Sequence, residues 1–133
     1  ASVEYQRERL TLAAEFGRTF ASYKTNLLTP EMSATSQGSY VMASYQVRHW
    51  FTPGVYYSAL FPNVEKAIKK RSTYQHDVAA TLRFDVTPNW LVKLEGHFMH
   101  GTGGLSSQLN DQKPLDSLTK NWGLFMLKTT AYF

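Results

Sequence analysis

The chain has no cysteine, so neither a disulfide framework nor a thiolate metal site is available to it. It also lacks any apolar run of about 18 residues, which excludes a transmembrane helix. Charge is sparse. Asp, Glu, Lys and Arg make up 18% of the 133 residues, below the roughly 25% of ordinary soluble domains, while Phe, Trp and Tyr reach 14%. That balance favours an aromatic, apolar face over a fully solvated surface. No Pro/Gly/Ser-rich linker divides the sequence, and the whole reads as one unit. It opens on Ala1 without a Met or a charged-then-apolar leader, which predicts a processed chain or a piece of a longer one. The net charge of +4 comes largely from Lys66, Lys69, Lys70 and Arg71, one stretch, and gives no reason to expect a nucleic-acid partner.

What the sequence does have is period-two alternation, the mark of strands with two unlike faces. Val78, Ala80, Leu82, Phe84 and Val86 share one face of a segment, and Asp77, Ala79, Thr81, Arg83 and Asp85 share the other. Trp90, Val92, Leu94, Gly96 and Phe98 repeat the apolar face, opposed by Leu91, Lys93, Glu95, His97 and Met99. Extended along the chain, the pattern predicts seven strands, at about 2–7, 10–23, 39–51, 55–61, 74–86, 90–100 and 121–133. Short connections, Glu8-Arg9, Thr52-Pro53-Gly54 and Thr87-Pro88-Asn89, take turns with long polar ones, 24–38, 62–73 and 101–120. A barrel of the bacterial outer membrane alternates in this way, with tight turns on the periplasmic side and longer loops outside. It also escapes a hydropathy scan, because only every second residue faces lipid.

These features predict an all-β, antiparallel, up-and-down transmembrane β-barrel. If its C-terminus is periplasmic, an odd strand count leaves Ala1 on the extracellular side, so the seven strands read as the C-terminal part of a larger barrel. The face opposite the apolar one then lines the lumen, with Glu15, Arg48, Asp77, Arg83, Asp85, Lys93, Glu95, His97 and Lys128 as pore-lining candidates beside Glu4. Val78, Leu82, Phe84, Val92, Leu94, Phe98, Phe125 and Leu127 would face lipid. Acids and bases are mixed on the lumen face, which predicts salt bridges along the wall or a transverse field rather than a ring of one sign. Arg18 shares parity with Phe16 and Phe20. Either a bulge at Gly17 switches its face or it sits at the outer headgroup level, and the second is the better account. Trp50, Phe51, Tyr56, Tyr57, Trp90, Tyr132 and Phe133, near the expected short turns and the C-terminus, would form an aromatic girdle.

The last segment, Asn121 to Phe133, ends on an aromatic preceded by alternating apolar positions. Gly123, Phe125, Leu127, Tyr132 and Phe133 resemble the C-terminal signature of outer-membrane β-barrel proteins that the barrel-assembly machinery recognises. Tyr74-Gln75-His76-Asp77, the Thr-Pro-Asn turn and Trp90 to His97 look like the late strands of bacterial porins of the phosphate-selective or general type. That resemblance implies passive diffusion of small hydrophilic solutes or ions across the bacterial outer membrane. It also implies contact with lipid and lipopolysaccharide, and a homotrimer or another chain completing the barrel. The loop 65–71 would offer cations to lipopolysaccharide phosphates or to anions near the mouth, and the loop 101–120 is long enough to fold inward as a constriction.

No cofactor or metal is expected, because His97 and His100 differ in parity and point to opposite faces of their strand. No Gly-x-Ser-x-Gly elbow is present either, and the chain reads as a non-enzyme. Two further readings compete with the channel. One is a structural barrel that sheathes or anchors a partner protein in the outer membrane, and the other is a soluble β-barrel that binds a small ligand inside.

Overall fold

A computed structural model describes residues 1–23, 32–64 and 70–133. Seven strands form one antiparallel sheet in sequence order: β1 (Ser2–Arg7), β2 (Leu10–Tyr23), β3 (Met32–Tyr45), β4 (Phe51–Phe61), β5 (Gln75–Thr87), β6 (Trp90–Gly101) and β7 (Asn121–Ala131). The fold is thus all-β, up-and-down and antiparallel. The sheet is not closed, since β1 and β7 each pair on one side only. It is nevertheless strongly curled, for a single trough of about 590 Å3 is bordered by Gln6 of β1 and by Lys128 and Thr130 of β7.

Five of the seven strands lie where the alternation put them, to within a residue or two. The exceptions are β3 and β4. Strand β3 runs over Met32–Tyr45 instead of 39–51, and the short turn that follows spans residues 46–50, not Thr52-Pro53-Gly54. Two pairings account for the shift. The 14-residue β2 needs a partner along its whole length, and the polar segment Ser33 to Gly38 supplies it, from Ser22↔Ser33 to Gly17↔Gly38. Pro53 and Gly54, an apparent turn signal, belong to β4. Pro53 pairs with Leu82 just beyond Ser44↔Gly54, where the β3–β4 ladder ends, so its missing N–H falls where β4 has a neighbour on one side only. Gly54 is there for room. A Cβ at this position would come within 2.9 Å of Thr81 Oγ1 and 3.2 Å of the Ala43 carbonyl.

The other two short turns stand as expected. Glu8 takes a positive φ of 50° between β1 and β2, and the β5–β6 turn is pinned by the Asn89 amide donating to Thr87 Oγ1 at 3.3 Å. On the opposite rim, 3₁₀ turns at Arg71–Thr73, Ser107–Leu109 and Leu115–Ser117 shape the long connections.

Very little of the chain is interior. Ala59, Ala79 and Met99 are the only buried apolar residues among those described. The accessible surface is 9844 Å2, against roughly 7,100 Å2 for a folded monomer of this mass. No second layer covers either face of the sheet among the described residues.

Candidate functional site: the two faces of the sheet

Register decides which side chains share a face. The pairs Asp77↔Met99, Ala79↔His97, Thr81↔Glu95 and Arg83↔Lys93, continued by Lys93↔Lys128 and Glu95↔Met126, place all of these residues on the side that borders the trough. The same parity carried through β4, β3 and β2 adds Tyr56, Met42 and Ala13, and beside them Glu15 and Glu4. Eight of the nine pore-lining candidates therefore lie on the concave face. Arg48 does not. It sits in the turn after β3, bridged to Phe51, where strand parity no longer assigns a face.

The convex face is the reverse. Val78 pairs with Phe98, Leu82 with Leu94 and Phe84 with Val92, while Leu127 lies beside Leu94 and Phe125 beside Gly96. All eight residues expected to face lipid are here; five are exposed, among them Val78 at 55%, Phe125 at 71% and Leu127 at 67%, while Phe84, Val92 and Leu94 are half-buried. Over the seven described strands this face carries two charged residues, Arg7 and Arg18, whereas the concave face carries eight: Glu4, Glu15, Asp77, Arg83, Asp85, Lys93, Glu95 and Lys128. Arg7 is at a rim, whereas Arg18 stands inside its hairpin, with the β2–β3 ladder continuing beyond it to Tyr23↔Met32. Arg7 pairs with Leu10 at the β1–β2 turn. Arg18 aligns with Gln37 and, one strand on, with Phe61 at the end of β4. The β2–β3 register is unbroken at Gly17, so no bulge turns Arg18 inward; its guanidinium lies 5.1 Å from the Phe20 ring centre.

Aromatic clusters stand at two levels of the convex face, with Tyr5, Phe98 and Phe125 between them. At the short-turn rim Trp50, Phe51 and Phe84 stack with centroid separations of 5.1–6.4 Å, and Trp90 donates its indole N–H to Thr129 Oγ1 at 2.7 Å. At the other rim lie Phe61, Tyr74, His76 and His100. The girdle expected from sequence thus loses two members. With the turn at 46–50, Tyr56 moves to the middle of the concave wall and Tyr57 to the upper convex face, paired with Ser58's neighbour strand at Val78. Tyr132 and Phe133 follow β7, with the Tyr132 amide donating to the Asn89 carbonyl at 2.9 Å.

On the concave wall the charges compensate along strands rather than across them. Arg83 holds Asp85 through Nη2 at 2.7 Å and Nε at 3.0 Å, and Lys93 holds Glu95 at 2.8 Å. These are i, i+2 pairs, neighbours on one face of one strand. Across the strands Arg83, Lys93 and Lys128 stand directly opposite one another as a basic row, an arrangement that repels unless carboxylates lie close. Asp85 and Glu95 flank the first two; Lys128 has no ion pair among the described residues.

Higher on the wall, Tyr56, Asp77 and His97 converge, a cluster that parity could not reveal because it spans three strands. The Tyr56 hydroxyl donates to Asp77 Oδ2 at 2.9 Å, and His97 Nδ1 lies 3.0 Å from the same oxygen. Asp77 and His97 are both buried, and His97 Nε2 is buried with no polar partner among the described residues. Among the described residues no hydroxyl lies within hydrogen-bond reach of that nitrogen. The cluster's chemistry is that of a clamp joining β4, β5 and β6.

At the far rim the stretch after β6 is fastened to its neighbour. Gly101 has a φ of 94°, and a Cβ there would collide with the Tyr74 carbonyl. Thr102 is fully buried and donates through Oγ1 to the Leu115 carbonyl, while its amide donates to the Arg71 carbonyl. The Ser72 amide donates to Asp116 Oδ1 at 2.9 Å, and this hydrogen bond, helped by the nearby charges of Lys70 and Arg71, holds the Asp116 carboxyl below its ordinary value. Arg71 is also tied to the Leu118 carbonyl at 3.0 Å. The rest of the cationic stretch expected to meet phosphates, Glu65 to Lys69, lies outside the described residues. Among the described residues no three His, Asp or Glu side chains form a metal-binding group, and no helix is long and apolar enough to cross a membrane. No family model, curated protein or solved structure matches this chain.

Proposed function

We propose that this sheet is part of the wall of a porin-like channel in the bacterial outer membrane, which lets small hydrophilic solutes or ions diffuse passively. The observation that carries the reading is the sorting of charge: eight charged residues on the concave face against two on the convex one, Arg7 at the short-turn rim and Arg18 level with the end of β4. A bilayer clears the face it meets of charge, since an Arg or Lys at its midplane costs about 2–4 kcal/mol.

The spacing of the aromatic levels supports the same reading. From Trp90 to His100 the strand advances ten residues, about 34 Å along its axis, and at the usual barrel tilt of about 40° this projects to roughly 25 Å, the height of the apolar band of such barrels. In this arrangement Val78, Leu82, Phe98, Phe125 and Leu127 meet acyl chains, and Arg18 lies at the headgroups. Arg83, Lys93, Glu95 and Lys128 meet water in the lumen. The open edges of β1 and β7 cannot remain unpaired inside a bilayer. Further strands, from a longer chain or from other copies, close the barrel.

The test is conductance. The whole protein, folded and reconstituted into planar lipid bilayers, is expected to give stepwise ion currents. A correctly folded barrel that stays silent overturns the channel, and currents that appear only after removal of a bound protein establish the sheath instead.

A further inference from the structure

His76 and His100 are directly opposite each other on β5 and β6, on the convex face at the long-loop rim. His97 and His100 lie on opposite faces of one strand and cannot share an ion. Pairing across strands brings together two imidazoles that the sequence places 24 residues apart. Their ring centres are 6.3 Å apart with planes inclined at 43°.

Each ring has one nitrogen already occupied. His100 Nδ1 lies 2.7 Å from Asn121 Oδ1, an atom that can only accept, so the proton is on Nδ1 and Nε2 carries a free lone pair. His76 Nδ1 lies 2.7 Å from the Tyr57 hydroxyl, which can accept a hydrogen bond from the Nδ1–H tautomer. A partner on Nδ1 that sets the tautomer and leaves Nε2 for the ion is how metal-ligating histidines are held. The rings are fixed from the sides as well: Tyr57 stacks on His76 at 5.9 Å, Phe61 meets it edge-on, and Tyr74 contacts both imidazoles. Both histidines are half-buried, reachable from outside yet not free to swing.

We infer that His76 and His100 form a two-imidazole site for a borderline divalent ion of the Cu2+, Ni2+ or Zn2+ class, with Tyr57 and Asn121 as positioning residues. With metal–nitrogen bonds of about 2.0–2.1 Å, two imidazoles on one ion have ring centres between about 5.3 Å at a tetrahedral angle and about 6.5 Å when opposed. The observed spacing is inside that window. Imidazole nitrogen selects these ions over Ca2+ and Mg2+, which require oxygen ligands, so the site is distinct from cation bridging between lipid phosphates. Water or an anionic headgroup completes the coordination. The inference rests on the β5–β6 register and is independent of whether the concave face conducts.

The experiment is a Cu2+ titration of the whole protein folded in detergent, followed by calorimetry and by electron paramagnetic resonance of the bound ion. Expected are saturable one-to-one binding and a spectrum with two equatorial imidazole nitrogens. His76→Ala and His100→Ala each weaken binding at least about tenfold and reduce the count to one nitrogen. Asn121→Leu weakens it by about tenfold while both nitrogens remain. His49→Ala serves as the control that leaves binding unchanged, and far-ultraviolet circular dichroism verifies that every variant is folded. Absence of saturable binding to the folded protein overturns the site, as does binding that survives loss of both His76 and His100.

Discussion

Arginine substitutions along one convex row of β5 test the membrane reading most directly. Ala80 is aligned with Val55 and Gly96 midway between the aromatic levels, Leu82 with Pro53 and Leu94 one convex position nearer the short turns, and Val86 stands at that rim in the irregular step between Asp85↔Leu91 and Thr87↔Trp90. If acyl chains cover this face, Ala80→Arg and Leu82→Arg each cost about 2–4 kcal/mol and Val86→Arg about 0–1 kcal/mol. The first two correspond to a roughly 30- to 900-fold loss in the folding equilibrium. Thr81→Arg, on the concave side opposite Glu95, is expected to stay within about 0.5 kcal/mol, as surface changes do. The assay is reversible denaturant unfolding of the whole protein in phospholipid vesicles, followed by tryptophan fluorescence. A core packed against protein would also penalise Leu82→Arg, so the gradient is the discriminating feature. Equal costs at Ala80 and Val86, or a cost at Thr81 matching that at Leu82, would refute the assignment of faces to lipid and water.

Two predictions concern the long-loop rim. Gly101→Ala forces a side chain into a left-handed backbone position against the Tyr74 carbonyl. It is expected to cost about 1–3 kcal/mol locally and to make residues 102–120 sensitive to protease while the strands stay resistant; unchanged resistance of the loop would contradict the packing of Thr102. Asp116 has a folded-state value below its ordinary 3.8, chiefly through the Ser72 amide. Its contribution is therefore complete above that value and lost as pH falls through the lower, folded one. Protection of the Ser72 amide from hydrogen exchange should persist at pH 4.5 and fade on further acidification, and Asp116→Asn should remove this pH dependence.

Much of the architecture was readable from residue order because the face a strand residue presents depends only on its parity within that strand. Val78, Leu82 and Phe84 against Asp77, Arg83 and Asp85 needed no knowledge of any neighbour. The limits of β3 and β4 were not readable in this way. Ser33 to Gly38 has no apolar alternation and becomes strand only because β2 offers it a ladder, and Pro53-Gly54 imitates a turn while serving a close approach to Thr81. Arg48, Tyr56 and Tyr57 were misplaced as a consequence.

What the sequence by itself determined is a set of two-faced strands joined by alternating short and long connections. What only the tertiary structure decided is who stands beside whom. The basic row Arg83, Lys93 and Lys128, the clamp of Tyr56, Asp77 and His97, and the pair His76 and His100 all exist through inter-strand register. Parity is written into each strand locally. Register is a relation between strands, set by turn geometry and by side-chain packing between residues distant in sequence, and one residue of slip would exchange every neighbour.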